Sequence, residues 1–238
     1  MKTVLYKAST RGHAYHGWLD TYHTFSFANY YDPSRIHFGA LRVINDDIVQ
    51  GGEGFGTHPH DNMEIITIPL YGDLEHKDSM GHTEVIHSGE VQVMSAGSGI
   101  THSEYNANRD KPVNLFQIWV FPNKKDVEPR YGQKAFDFIH NKNELTLVVS
   151  PNGDSESLWI HQDAWFSLGT FDKEYSFDYQ PKKKGNGVYA MVVEGEFTIG
   201  DQKLHHRDGI GIWETDTIKI TANTENARIL LMDIPMEF

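Results

Sequence analysis

Residues 63–72 read MEIITIPLYG, residues 84–97 read EVIHSGEVQVMSAG and residues 114–122 read NLFQIWVFP. These three runs decide the fold. Each is rich in β-branched and aromatic residues, too short for a stable helix, and closed by glycine or proline. No long helical period interrupts the first 120 residues, so strands are expected throughout. The style returns in WFSLGTFDKEYSFDY (165–179), GVYAMVVEGEFTIG (187–200), DGIGIWE (208–214) and ARILLMDIP (227–235). Strand and turn alternating about every ten residues is the signature of a sandwich or small barrel. VIHSGEVQVMSAG (85–97) and KLHHRDGIGIWET (203–215) each place a glycine turn before an alternating strand, which predicts an internal duplication. Two packed β-barrels of the jelly-roll kind are therefore expected. The polar segment 123–144, NKKDVEPRYGQKAFDFIHNKNE, carries Pro and Gly and is predicted to connect them with one short helix. On this division residues 1–130 form an N-terminal domain and 131–238 a C-terminal one.

Charge and composition exclude several classes of function. The chain has 33 acidic and 21 basic residues and a formal charge of -12. Such a surface repels phosphate backbones over roughly 8 to 10 Å at physiological salt, so direct nucleic-acid binding is not expected. The one basic run, Lys182 to Lys184, sits between Pro181 and Gly185 and reads as a solvated loop tip. There is no cysteine, which excludes disulfides, iron–sulfur ligation, thiol catalysis and thiolate zinc sites. Any metal must be held by histidine and carboxylate. The N-terminus has no apolar core of signal-peptide length, and no run approaches ~18 apolar residues. A cytoplasmic protein that does not contact membrane is expected.

The histidine pattern carries the chemistry. In GTHPHDNMEI (56–65), His58 and His60 lie two apart and Glu64 follows four later. On a strand, residues two apart share a face, and Glu64 keeps their parity if no bulge intervenes. Pro59 points the other way and lacks an N–H, which suits a sheet edge or a strand start. In GSGITHSEYN (97–106), His102 and Glu104 again lie two apart. Two such pairs converging inside one barrel supply three imidazoles and one carboxylate. That set suits a borderline divalent ion such as Fe(II), Mn(II), Co(II), Ni(II) or Zn(II). The other histidines carry less. His76, His82 and His87 fall in the turn-rich LEHKDSMGHTEVIHSG (74–89) and are expected to face solvent. His205 and His206 are adjacent, so on a strand they face opposite ways. His161 stands alone, and His13, His16, His23 and His37 are assigned no chemistry.

Gly52 followed by His58-Pro59-His60 and Glu64 resembles the first motif of the cupin superfamily, and Gly89 through Gly97, Gly99, Ile100 and His102 resembles the second. HPHDNMEI, DSMGH, SAGSGITHSEYN, QIWV and the N-terminal HGWLDTYHTFSFANYYDP look like the pirin family of bicupins, nearest its bacterial branch with quercetin dioxygenase activity. The resemblance is densest over residues 12–135. It implies an all-β bicupin of two facing jelly-roll barrels with the metal only in the first. It implies that His58, His60, His102 and Glu104 hold an iron-type ion, with Zn, Ni, Co, Mn or Cu as other occupants. Many single-domain cupins take the carboxylate from the first motif, here Glu64, so Glu64 stays a candidate for the shell around the metal. The activity implied is cleavage of a flavonol such as quercetin by O2, with carbon monoxide released; a carboxylate beside the metal can take the hydroxyl proton as general base, with Glu104 the first candidate and Glu64 the second. The substrate would be a small planar phenol, and a bicupin can pair its two barrels within one chain and so be a monomer, although the sequence does not fix the oligomeric state. The rival readings are a metal-binding regulator or redox sensor acting through protein partners, and a cupin isomerase or hydrolase.

Overall fold

The computed structural model describes residues 1–238 and consists of 22 strands and two single 3-10 turns. No α-helix is present, so no helix is long and apolar enough to cross a membrane. The short helix expected in 123–144 is absent. Its place is taken by strand Arg130–Ala135, which is held extended by its antiparallel pairing with Glu90–Ser95.

Each half of the chain builds a seven-stranded sheet and a four-stranded sheet that close on one another as a barrel. In the first barrel the large sheet centres on Val113–Val120, flanked by Leu41–Val49 and Glu64–Tyr71. Its residues Phe116, Ile118 and Val120 face the second barrel, while Leu115, Gln117 and Trp119 face the first barrel's interior. Both faces are covered, which is why NLFQIWV is apolar at five of its seven positions, with Leu115, Phe116, Ile118, Trp119 and Val120 on both faces. Asn186–Glu194 plays the same central part in the second large sheet. The two large sheets pack face to face through a core of 26 buried residues drawn from both halves, including Ile66, Phe116, Phe166, Leu168, Met191 and Leu230.

The ends of the halves are exchanged. Strand Lys2–Tyr6 pairs with Gly209–Trp213 in the second large sheet, and Arg130–Ala135 completes the first. The expected division after residue 130 therefore falls at the start of a strand that belongs with the N-terminal barrel. A buried ionic cluster ties the barrels as well. Asp46 meets Arg11 Nη1 at 3.2 Å and Arg207 Nε at 3.0 Å, and Arg207 Nη2 donates to Asn114 Oδ1 at 3.0 Å.

The interiors differ. The second barrel is filled by 16 buried hydrophobic residues, among them Val188, Val192, Phe197, Ile210, Ile220 and Leu231. The first holds apolar clusters of six and four residues. Across its large sheet runs a belt of polar residues in one register: Gln133, Gln92, Thr67, Gln117, Asn45 and His23. The site faces this belt.

Candidate metal centre

The four-stranded sheet of the first barrel has the order Gly54–His60, Ile100–Asn106, Asp73–Asp78, Thr83–His87. Strand Gly54–His60 is its edge, which accommodates Pro59, and His58 lies directly across from His102. The strands touch closely at the start: a Cβ on Gly54 would lie 2.2 Å from the Glu104 carbonyl oxygen, so only glycine fits. The pairing slips between His102 and Glu104 in an irregularity of β-bulge type.

His58, His60 and His102 gather at one point, with one ring nitrogen of each within 4.8 Å of the others. His58 Nδ1 donates to the Gly56 carbonyl at 2.8 Å, which leaves its Nε2 free to face His102 Nε2 at 2.9 Å. Burial, together with the neighbouring imidazoles, pushes His60 and His102 down to about 3, so both rings are neutral near pH 7. Neutral imidazole is the form that binds a cation. The trio forms a candidate site for a divalent metal.

Glu104 stands outside this tight trio but lines the same cavity as His58 and His60. Both its oxygens accept from Gln117 Nε2, each at 3.1 Å. Burial raises its pKa, opposed by His76, Gln117 and His58. Asp47 is a second carboxyl on the cavity wall. Burial takes it up to about 7 against a 2.5 Å hydrogen bond from Thr21 Oγ1. The cavity is about 70 Å³ and its remaining walls are Phe27, Asn45, Phe55, Gln117 and Trp119. Trp119 meets the edge of His60 at a centroid distance of 4.9 Å, and Phe27 packs edge-on to Trp119. A much larger cleft of about 1080 Å³ lies on the second half around Lys183, Trp213 and Phe238. It holds no histidine and none of the perturbed groups, so size does not mark the chemistry here.

Two readings of single residues need correcting. Glu64 does not join the imidazoles. After His60 the chain turns through Asp61, Asn62 and Met63, with Asn62 at φ +44°, and enters the large sheet instead of the small one. Strand parity is lost across that turn. Glu64 shares the face of Ile66 and Ile68, toward the layer between barrels, and accepts from Ser95 Oγ at 2.7 Å. His76 is not solvent-facing but wholly buried, with Nε2 3.0 Å from His102 Nδ1. The signal was present in DLEHKD, where Leu74 marks the inward face and His76 is two residues on. His82 and His87 do sit at the surface, paired with Asp78 and Asp73. His205 and His206 pair separately with Glu196 and Glu194 and share no site.

Facing jelly-roll barrels of which one encloses a cage of imidazoles define a bicupin with a single candidate metal centre. Residues 5–120 match the Pirin family, and residues 147–234 match the Quercetinase C-terminal cupin domain. A quercetin 2,3-dioxygenase of Escherichia coli is 47% identical over 231 residues, 97% of this chain and 98% of that protein. A pirin-like protein of Caulobacter vibrioides is 40% identical, covering 93% of this chain and 95% of its own. The crystal structure of the bacterial pirin YhhW of Escherichia coli in complex with nickel(II) superposes with a TM-score of 0.93 at 45% identity, over 98% of this chain and 99% of that one. The chain belongs to the pirin family.

Proposed function

We propose that the protein is a metal-dependent dioxygenase that cleaves flavonols such as quercetin with O2 and releases carbon monoxide. His58, His60 and His102 hold the ion, and Glu104 completes the set or serves as base beside it. The observation that carries this reading is the convergence of three imidazoles, two of them held neutral by burial, on an aromatic-walled cavity that also contains a buried carboxylate. The donor set of nitrogen and carboxylate oxygen fits a first-row divalent ion, and iron(II) is the proposed native one. When bound, such an ion supplies Lewis-acid and redox chemistry to an oxygen-bearing ligand.

The chain's own residues do the rest. Gly56 fixes His58 with Nε2 inward, and His76 backs His102. Gln117 holds the Glu104 carboxylate in place, and its raised pKa makes it a stronger base toward a phenolic hydroxyl. Phe27, Phe55 and Trp119 offer flat apolar faces to a planar phenol. The cavity is well below the roughly 300 to 1,000 Å³ of a pocket that engulfs its ligand. It therefore takes the hydroxy-keto edge of a flavonol, with the outer ring lying across the aromatic mouth.

The names of the relatives support this reading, and the nickel complex of YhhW supports a divalent ion in this fold. The test is anaerobic loading with iron(II), then addition of quercetin and O2. Expected are oxygen uptake and carbon monoxide release in step with loss of flavonol absorbance, all abolished in His102→Ala. Equal bleaching by that variant would show autoxidation and overturn the reading.

A further inference from the structure

The cavity beside the imidazoles has two walls, and they come from different sheets. His58, His60 and Glu104 stand on strands Gly54–His60 and Ile100–Asn106 of the four-stranded sheet. Asn45, Asp47, Gln117 and Trp119 stand on strands Leu41–Val49 and Val113–Val120 of the large sheet. The space between them is about 70 Å³, room for a few water-sized groups. A polar group that enters it therefore meets both walls at once.

Asp47 is the acidic group of the large-sheet wall, and it is buried. Its cross-strand neighbours are Thr21 and Leu115. Thr21 Oγ1 donates to Asp47 Oδ1 at 2.5 Å, whereas Leu115 has no side-chain donor. The other hydrogen bond to Asp47, from Asn114 Nδ2, goes to its backbone carbonyl. The adjacent Asp46 points through the opposite face of the sheet and takes both arginines, Arg11 and Arg207. Asp47 is thus left without an ion pair and with Oδ2 unbonded on the cavity wall. A buried carboxyl in that state costs stability, and holding Thr21 needs only one of its oxygens. Glu104, by contrast, has both oxygens held by Gln117.

An oxygen so placed selects for a hydroxyl. A carboxyl hydrogen-bonds a hydroxyl in either protonation state, accepting when ionised and accepting or donating when protonated. A methyl ether of the same substrate cannot donate, and its methyl group would press on Oδ2 in so small a space. From this arrangement we infer that Asp47 is a substrate contact that sets specificity: its Oδ2 takes the hydrogen bond of a hydroxyl on the substrate edge that enters the cavity, from the wall opposite the imidazoles, while Thr21 holds the carboxyl in place. The inference rests on the reading of the protein as a flavonol dioxygenase, and it narrows the substrate to planar molecules whose inserted edge bears a free hydroxyl.

The test uses the full chain loaded with Zn(II) and kept anaerobic, so that binding is read without turnover. 3-Hydroxyflavone and 3-methoxyflavone are titrated into wild type, Asp47→Ala, Asp47→Asn and Thr21→Val, with quenching of tryptophan fluorescence as the readout, since Trp119 lines the cavity. Asp47→Ala should bind 3-hydroxyflavone about 10- to 150-fold more weakly, and its preference over the methoxy compound should shrink by a similar factor. Asp47→Asn, of the same shape and still able to accept, should keep most of both, and Thr21→Val should lose part of both. Zinc affinity, from competition with a chromophoric chelator, should not change in any of them. A role limited to shaping the cavity predicts the opposite for Asp47→Ala, because a larger space admits both flavones at least as well. Wild-type affinity and preference in Asp47→Ala, or weakened zinc binding by it, overturns the inference and leaves the flavonol reading standing. If Asp47→Ala does not fold, Thr21→Val decides by the same measures. Failure of the flavonol reading shows differently, as a wild type that binds neither flavone, and it takes this inference with it.

Discussion

Replacing Glu64 by glutamine should change how the protein's stability depends on pH while leaving the metal centre alone. The carboxyl is about 1% exposed and accepts from Ser95 Oγ on the neighbouring strand. Burial takes its pKa up to about 7 from an ordinary 4.5, against the opposing effects of Ser95, the His161 backbone and Arg130. An acid whose folded pKa is raised keeps its proton in the folded state after the unfolded chain has lost it. Stability therefore falls as pH rises from 4.5 to 7, by up to about 1.4 kcal/mol per unit and about 3 kcal/mol in all. Glutamine keeps an oxygen to accept from Ser95 and does not titrate. Urea unfolding followed by tryptophan fluorescence at pH 4.5, 6, 7 and 8 gives the comparison. The variant should match the wild type at the lowest pH and exceed it by up to about 3 kcal/mol at pH 8, while zinc affinity stays unchanged. A stability difference that does not vary with pH, or a wild type more stable at pH 8, would refute the burial argument. Loss of zinc would place Glu64 at the metal after all.

Asp46→Asn leaves Arg11 and Arg207 buried beside a neutral amide, and it should cost about 3–5 kcal/mol, a fall of roughly 6–20 °C in Tm by calorimetry. His58→Ala should remove most bound metal, measured by elemental analysis, with an unchanged far-UV circular dichroism spectrum. Glu104→Gln should lower both metal retention and quercetin turnover, because an amide is a poor ligand and no base. Gly54→Ala forces a Cβ against the Glu104 carbonyl and should destabilise by about 1–3 kcal/mol in urea, with weakened zinc binding from the displaced strand pair.

Much of the fold was legible in the sequence because strands leave a local mark. NLFQIWV is apolar at five of its seven positions and GVYAMVV at every one, and both proved to be central strands covered on two faces. Pro59 and the shared face of His58 and His60 followed from period-two geometry, since all three lie within one strand. The errors arose where geometry is not local. Parity carried from His60 to Glu64 failed at a turn that moves the chain from one sheet to another. The exchange of strands Lys2–Tyr6 and Arg130–Ala135 depends on pairings more than 200 and about 40 residues apart, which no run of residues announces. His76 was misread because polar neighbours and a following glycine turn outweighed the single apolar marker, Leu74. A buried imidazole held by another imidazole looks, in sequence, like a surface one.

The two barrels share a scaffold, yet only one can serve as a binding chamber, and the reason lies in what fills them. Interior aliphatic side chains contribute about 25 cal/mol for each Å² removed from water and ask nothing of their neighbours in hydrogen bonding. The second barrel takes that course throughout. In the first, the belt from Gln133 to His23 and the facing histidines replace such side chains with groups that cost stability unless hydrogen-bonded. Such an interior needs support from outside itself. It has two supports, the large apolar layer between the sheets and the Asp46 cluster, and both draw residues from the second half. The second barrel and the layer between the barrels thus act as the rigid backing for a polar chamber that could not be as firmly held alone. Loss of one imidazole removes little of that support, so it should appear as lost binding long before it appears as lost folding.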